Sequence, residues 1–300
     1  MWKQSVNGAL RRVAGYQLER ADRPSPAEVK AARLAERLAQ SRTQLRQVRR
    51  ELKESNRQLK ATSAREAQRT QAERQFDPMD LEIMRRVIPR TMTDEVKLLG
   101  LLEAIRYLVR HGIGGDVVEC GVWRGGSMQA VALLLTQLGA ADRGLHLFDT
   151  FEGMPPPTEV DRRDGIAASD LLAARGKDDR MWAVAGLDDV RKAMSETEYP
   201  VHLVHFHQGM VEDTVPDEAP EQIALLRLDT DWYESTRHEL EHLYDRLSPG
   251  GVLILDDYGD WEGARRATDE FFANRAEPVL LNPLGSGRVA VKPIGDPPAG

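Results

Sequence analysis

Residues 223–258 read IALLRLDTDWYESTRHELEHLYDRLSPGGVLILDDY, and the fold follows from how this stretch is punctuated. Two apolar runs, residues 223–228 and 252–255, each stop abruptly in acid: the first at Asp229 and Asp231, the second at Asp256 and Asp257. Between them Leu240, Leu243, Tyr244 and Leu247 recur at helical spacing, which predicts a helix over residues 233–247 ended by Ser-Pro-Gly-Gly. A strand, a helix and a second strand in this order form a crossover that sets the two strands parallel in one sheet. Parallel strands carry their C-terminal ends to one edge, where α/β proteins bind ligands. Asp229 and the Asp256–Asp257 pair are therefore expected to meet. Three converging carboxylates repel one another unless a cation or a proton intervenes, and hard divalent ions such as Mg²⁺ take all-oxygen ligands. A single acid at a strand end is equally a helix cap or a solvated loop residue; three together favour a metal site.

Working outward, 300 residues allow one large domain or one domain with an appendage. The charge is divided unevenly. The first 76 residues carry 18 of the 41 lysines and arginines but only 8 of the 48 acids, leaving about +10 there and about −17 over the rest. No apolar run approaches the roughly 20 residues that span a bilayer, and the polar N-terminus lacks the pattern of a secretory signal. The single cysteine, Cys120, fits a reducing, cytoplasmic setting and falls in an expected buried strand as a small apolar residue.

Residues 1–25 are weakly patterned and expected to be poorly ordered. From residue 26 to 75 there is no Gly or Pro after Pro26, and Ala31, Leu34, Leu38, Leu45, Val48, Leu52 and Leu59 alternate three and four apart. Ser41, Ser55 and Thr62 interrupt the seam, yet the heptads predict a basic coiled-coil helix and hence a homo-oligomer. An anionic partner for this basic arm is the second reading. After a link at 76–92, Thr93 or Asp94 can cap a helix whose buried face is Leu98, Leu101, Leu102, Ile105 and Leu108. A strand at 117–120, a turn bearing Gly121, Gly125 and Gly126, and a helix from about Ser127 follow. Strand, Gly-turn, helix is the context of a nucleotide-type cofactor loop, although the spacing is not the dinucleotide G-x-G-x-x-G. A second strand ends at Asp149, where such sheets place an acid that accepts from a ribose diol. Residues 155–185 read as a long loop able to cover a site, and 188–194 as a helix. Strands are expected at 201–206, 278–284 and 288–292, the last two closing a seven-stranded sheet with one antiparallel strand. Residues 294–300 read as a disordered tail.

The blocks VVECGVWRGGSM, LHLFDTFEGMP, HQGMVEDTVP, LRLDTDWYEST and LSPGGVLILDDYG are specific enough to name a resemblance. Residues 77–293 resemble the macrocin O-methyltransferase family, with the basic arm outside the matched motifs. The resemblance implies a Rossmann-like class I methyltransferase fold, mostly parallel with helices on both faces, and dependence on S-adenosylmethionine (SAM) and Mg²⁺. It implies that Glu119, Gly121, Gly125 and Ser127 hold the methionine part of SAM, that Asp149 binds its ribose, and that Gln208 and Gly209 lie near the adenine. By the same match Asp229, Asp256 and Asp257 ligate the metal, and Asp231 caps the following helix. Asp229 is the expected general base, with His205 or His207 as substitutes, and Trp123, Trp232 and Tyr233 either wall the pocket or belong to the core. The implied reaction is methylation of a sugar hydroxyl. Catechol or vicinal-diol methylation, or a non-catalytic SAM-binding scaffold, are the alternatives, and the acceptor is a natural-product glycoside, a sugar nucleotide or a glycan.

Overall fold

The computed structural model of the chain describes residues 26–73, 77–176 and 179–295. It divides into two units, residues 1–75 and 76–300. In the first, Pro26–Glu73 is one 48-residue helix. Its heptad positions Leu34, Leu38, Leu45, Val48 and Leu52 are 54–59% exposed, so the stripe buries nothing within its own helix. The poor order expected of residues 1–25 and the disorder expected of 296–300 lie outside the described residues, as do positions 74–75 of the arm.

The second unit is built on a seven-stranded sheet. Its strands are β1 (Asp116–Cys120), β2 (Leu145–Asp149), β5 (Val204–Gln208), β6 (Ile223–Leu228), β7 (Leu247–Leu255), β8 (Asn282–Leu284) and β9 (Gly287–Val291); β3 (Arg162–Arg163) and β4 (Ile166–Ala167) form a small separate hairpin. The order is β5-β2-β1-β6-β7-β9-β8. The five strands from β5 to β7 run parallel, and β9 is antiparallel to both of its neighbours. This is the seven-stranded, mostly parallel sheet expected from the sequence.

Because strand side chains alternate, each face of the sheet has its own core. Val117, Leu145, Leu147, Leu225, Val252 and Ile254 pack with Leu98, Leu101, Leu102, Ile105 and Leu108 of the helix Glu95–His111 and with the helix Gly126–Gln137. Val118, Phe148, Leu226 and Leu253 pack on the other face with Leu240 and Leu243 of the helix Tyr233–Leu243. Asp94 starts the helix Glu95–His111, accepting from Lys97 N at 2.9 Å, and Gly112 ends it in the left-handed region at φ 63°.

Three boundaries differ from expectation: the strand expected over 278–284 is confined to Asn282–Leu284, the part that pairs with β9, and two others lie in the parallel part of the sheet. Val201–Leu203 is a short 3₁₀ turn closed by Leu203 N on Pro200 O at 3.0 Å, so the third parallel strand starts at Val204 and runs to Gln208. The crossover helix stops at Leu243, and β7 already begins at Leu247, absorbing Ser-Pro-Gly-Gly into the strand. There Ile223 pairs with Leu247 but Leu225 with Val252. Such a bulge tolerates Pro249, because Gly250 turns through φ 79° and its N–H donates to Lys292 O of the antiparallel neighbour at 2.9 Å. Among the described residues no helix is long and apolar enough to cross a membrane.

Candidate active site

Strand register decides which charges meet. Glu119 of β1 lies directly beside Arg227 of β6, and Arg227 beside Ile254 of β7. One pleat further on, the same face carries Asp229 and Asp256 just beyond the strand ends. Arg227 is 2% exposed and central to the cluster. Its Nη1 donates to Glu119 Oε1 and to Asp229 Oδ2, the latter at 2.7 Å. Nη2 donates to Thr93 Oγ1 at 2.7 Å and Asp256 Oδ1 at 2.5 Å. Lys97 reaches down from its helix: Nζ lies 2.7 Å from Asp256 Oδ2, 3.0 Å from Asp256 O and 3.3 Å from Asp260 Oδ2.

These contacts separate the acids electrostatically. Burial pushes the Asp256 carboxyl up, but Arg227 and Lys97 outweigh it and hold the group below the usual range. Burial also raises Asp229 and Asp257 well above that range; for Asp229, Arg227 opposes the rise while Asp256 and Asp257 add to it, and for Asp257 the charges of Asp231 and Asp256 reinforce it. Glu119 is raised to about 7 by complete burial, against the pull of Arg227. Asp231 is raised to about 7 by burial and by Asp229.

Asp229, Asp256 and Asp257 each present a carboxylate oxygen within 4.8 Å of the others, the one such group of metal-ligating side chains among the described residues. All-oxygen donors suit a hard divalent ion. The fit is qualified by the two internal cations, which the sequence reading overlooked: they engage both oxygens of Asp256 and one of Asp229, and leave Asp257 to the N–H of Asp231 at 3.1 Å. With Glu119, Asp231 and Asp260 included, six carboxylates surround two fixed cations, so negative charge remains for a further cation or for protons to meet.

The acids open onto a cavity of about 460 Å³ lined also by Thr93, Lys97, Gly121, Trp123, Asp149, Gly209 and Trp261. Of the expected cofactor residues, Gly121, Asp149 and Gly209 line it, whereas Glu119, Gly125, Ser127 and Gln208 do not. Glu119 lies buried with Oε2 lacking any hydrogen-bond partner, an acceptor left over at the base of the glycine turn. Ser127 is buried against Thr91 and Thr93, and Gln208 is exposed. The glycines answer to packing within the protein: a Cβ on Gly121 would sit 2.0 Å from Asp229 O, and one on Gly126 2.6 Å from Arg90 O. Asp149 clamps the turn, Oδ2 accepting from Val122 N at 2.8 Å and Trp123 N at 2.9 Å, and Oδ1 from Phe151 N at 2.7 Å. Burial raises its carboxyl, against those three N–H groups.

Several expectations are corrected. Asp231 does not cap the helix Tyr233–Leu243, which has no side-chain cap from its own N-cap residue. At φ 68° Asp231 turns away in a left-handed conformation and lines the cavity. The capping oxygen comes from Asp161, 72 residues earlier, whose Oδ1 accepts from Tyr233 N at 2.8 Å while Oδ2 holds Thr158 N and Oγ1 at 2.7 and 2.8 Å. His205 and His207 do not line the cavity; they belong to the β2–β5 edge, where His207 is 3.1 Å from His146 and 2.8 Å from Glu218. Trp123 lines the cavity, Trp232 packs edge-on against Trp261 in the core, and the Tyr233 hydroxyl donates to exposed Glu270. Cys120 is fully buried, and burial raises its thiol well above the ordinary value, as expected of a packing residue.

Comparison with known proteins agrees with this architecture. The macrocin-O-methyltransferase (TylF) family model matches residues 28–284, reaching into the long helix that the motif resemblance left out. The chain is 35% identical over 181 residues to the 8-demethyl-8-(2,3-dimethoxy-alpha-L-rhamnosyl)-tetracenomycin-C 4'-O-methyltransferase of Streptomyces olivaceus, over 57% of this chain and 63% of that protein. It is 32% identical over 183 residues to the demethyldecarbamoylnovobiocin O-methyltransferase of Streptomyces niveus, over 61% of this chain and 68% of that one. The solved O-methyltransferase NovP superposes with a TM-score of 0.58 at 29% identity, over 68% of this chain and 83% of NovP. The calicheamicin methyltransferase CalS11 shares the fold, with a TM-score of 0.53 at 18% identity over 72% of this chain and 93% of that one. The chain belongs to the macrocin-O-methyltransferase family.

Proposed function

We propose that this chain transfers a methyl group from SAM to a hydroxyl of a sugar, carried on a natural-product glycoside, a sugar nucleotide or a glycan, with the help of Mg²⁺. The observation that carries the reading is that Asp229, Asp256 and Asp257 converge at the cavity that also receives the glycine turn and Asp149. Asp149, Gly121 and Gly209 are assigned to the donor, with Glu119 beneath them, and the three aspartates to the metal. When bound, SAM supplies the electrophilic methyl and the divalent cation supplies Lewis acidity toward the acceptor hydroxyl. The protein's own part is to position that hydroxyl and to accept its proton. Asp229 is poorly placed for the second task because Arg227 holds its Oδ2. Asp231 replaces it as the proposed general base: it lines the same cavity, and no arginine or lysine bonds to it among the described residues. Methyl transfer from labelled SAM, with and without EDTA, tests the reading. Transfer untouched by EDTA removes the metal, and no transfer to any glycoside removes the sugar.

For the arm, the exposed heptad stripe supports homo-oligomerisation through residues 26–75 ahead of binding to an anionic partner. Sedimentation of the full chain and of a Leu45→Lys, Leu52→Lys variant tests this. Loss of the oligomer is expected; an unchanged mass rejects the seam. A cytoplasmic location is proposed on the single buried, unpaired cysteine.

A further inference from the structure

The cavity's cations fall into two groups. Arg227 and Lys97 are consumed by the acids beneath it. Arg163, Arg175 and Arg180, all from residues 163–180, also line the cavity. Arg175 pairs weakly with Asp179 at 3.9 Å, and neither Arg163 nor Arg180 has a carboxylate within ion-pair distance among the described residues. Arg180 lies over Trp123 and donates to Thr91 O at 3.2 Å, on the glycine-turn side. Arg163 lies on the side of the acid cluster, its guanidinium 4.2 Å from the centre of the Trp261 ring and its Nε donating to Asp260 O at 3.2 Å. That anchorage uses one face and one N–H of the fork. Neither Nη group has an acceptor among the described residues; the one hydrogen bond of the fork is that of Nε. The Arg163 perch is itself fixed, because the fully buried Asp161 ties its hairpin to the N-terminus of the helix Tyr233–Leu243.

A neutral sugar offers a guanidinium single hydroxyl oxygens, without the charge or the paired geometry that strengthens its hydrogen bonds. A planar fork with two free Nη groups matches the paired oxygens of a carboxylate or phosphate. We propose that Arg163 recognises an anionic substituent on the acceptor, so that the substrate is a phosphorylated sugar or a uronate; this rests on the sugar-methylation reading above. The rival role for Arg163, balancing the nearby Asp231, requires no charge on the acceptor.

The test uses the full chain saturated with S-adenosylhomocysteine, in EDTA and at fixed ionic strength, titrated calorimetrically with glucose 1-phosphate, glucuronate and methyl glucoside. At least one charged probe is expected to bind on the order of ten-fold more tightly than the neutral one. Arg163→Gln is expected to abolish that preference and Arg163→Lys to retain part of it, with S-adenosylhomocysteine affinity the same in all three proteins. Equal binding of all three probes, or a preference that survives Arg163→Gln, overturns the proposal. Failure of S-adenosylhomocysteine to bind the parent chain would instead overturn the methyl-transfer reading itself.

Discussion

Arg227→Met is the substitution that tests the site's electrostatics most directly. Methionine keeps much of the side-chain length and apolar volume, so the change removes charge more than packing. It leaves Glu119, 1% exposed, with no cation, and takes from Asp229 its one cationic partner and from Asp256 one of two. Removing one partner of a buried ion pair costs about 3–5 kcal/mol, because the remaining charge stays desolvated. Against a total stability on the order of 5–15 kcal/mol, this is a large fraction. Glu119 is the most stranded group, so adding Glu119→Gln to Arg227→Met should recover part of the loss. Asp256 keeps Lys97 at 2.7 Å and should need no such relief. Urea denaturation of the full chain, followed by tryptophan fluorescence, yields both single variants and the double, and the double-mutant cycle isolates the coupling. An Arg227→Met variant within about 1 kcal/mol of the parent, or a double no more stable than Arg227→Met, would refute the reasoning.

Three further outcomes are expected. Asp231→Asn should lower methyl transfer by about 10²–10⁴-fold with S-adenosylhomocysteine binding unchanged; if Asp229→Asn alone has that signature, the proton goes to Asp229. Asp161→Ala, which uncaps the helix Tyr233–Leu243 and frees Thr158, should cost about 1–2 kcal/mol in denaturant and hasten proteolysis between residues 155 and 168; unaltered cleavage would mean that the loop is held elsewhere. Burial holds His205 and His207 below the ordinary imidazole value of 6.5, with His146 adding to the effect and Glu218 opposing it at His207. Between the folded and unfolded values the unfolded chain binds more protons, so stability should fall as the pH drops from 6.5 through the folded values. The double variant His205→Gln, His207→Gln should flatten that slope, and a slope that persists would place its origin in other groups.

What was legible in the sequence was local. Apolar runs that end in acid mark strand ends, a 3.6-residue period marks the crossover helix, and right-handed parallel connection then brings Asp229 to Asp256 and Asp257 without further information. Arg227 was not legible by these means. In LRLD a charged residue reads as the edge of a strand, and only the pairing of β1 with β6 shows that it faces Glu119. Lys97 was similarly hidden: it shares the buried face of its helix with Leu98 and Leu101, and its partner is 159 residues away. Asp161 capping Tyr233 across 72 residues has no local pattern at all. The glycine turn is legible from its context, a strand before and a helix after; that Gly121 also packs against the carbonyl of Asp229, just past β6, is not.

The internal cations alter the inference from clustered acids to a metal. Repulsion among Asp229, Asp256 and Asp257 alone would demand an external ion, yet Arg227 and Lys97 already answer part of it, and they do so asymmetrically. Asp256 is bound by both and Asp257 by neither. Asp256 and Lys97 themselves line the cavity, whereas Arg227 does not, and the charge that the two cations leave unmet falls at Asp229, Asp257 and Asp231. Arg227 behind the cavity wall and unpaired acids on it orient the site: an arriving cation is drawn to the wall, where an acceptor hydroxyl can also reach. A cluster without the arginine would be more acidic but would lack that direction.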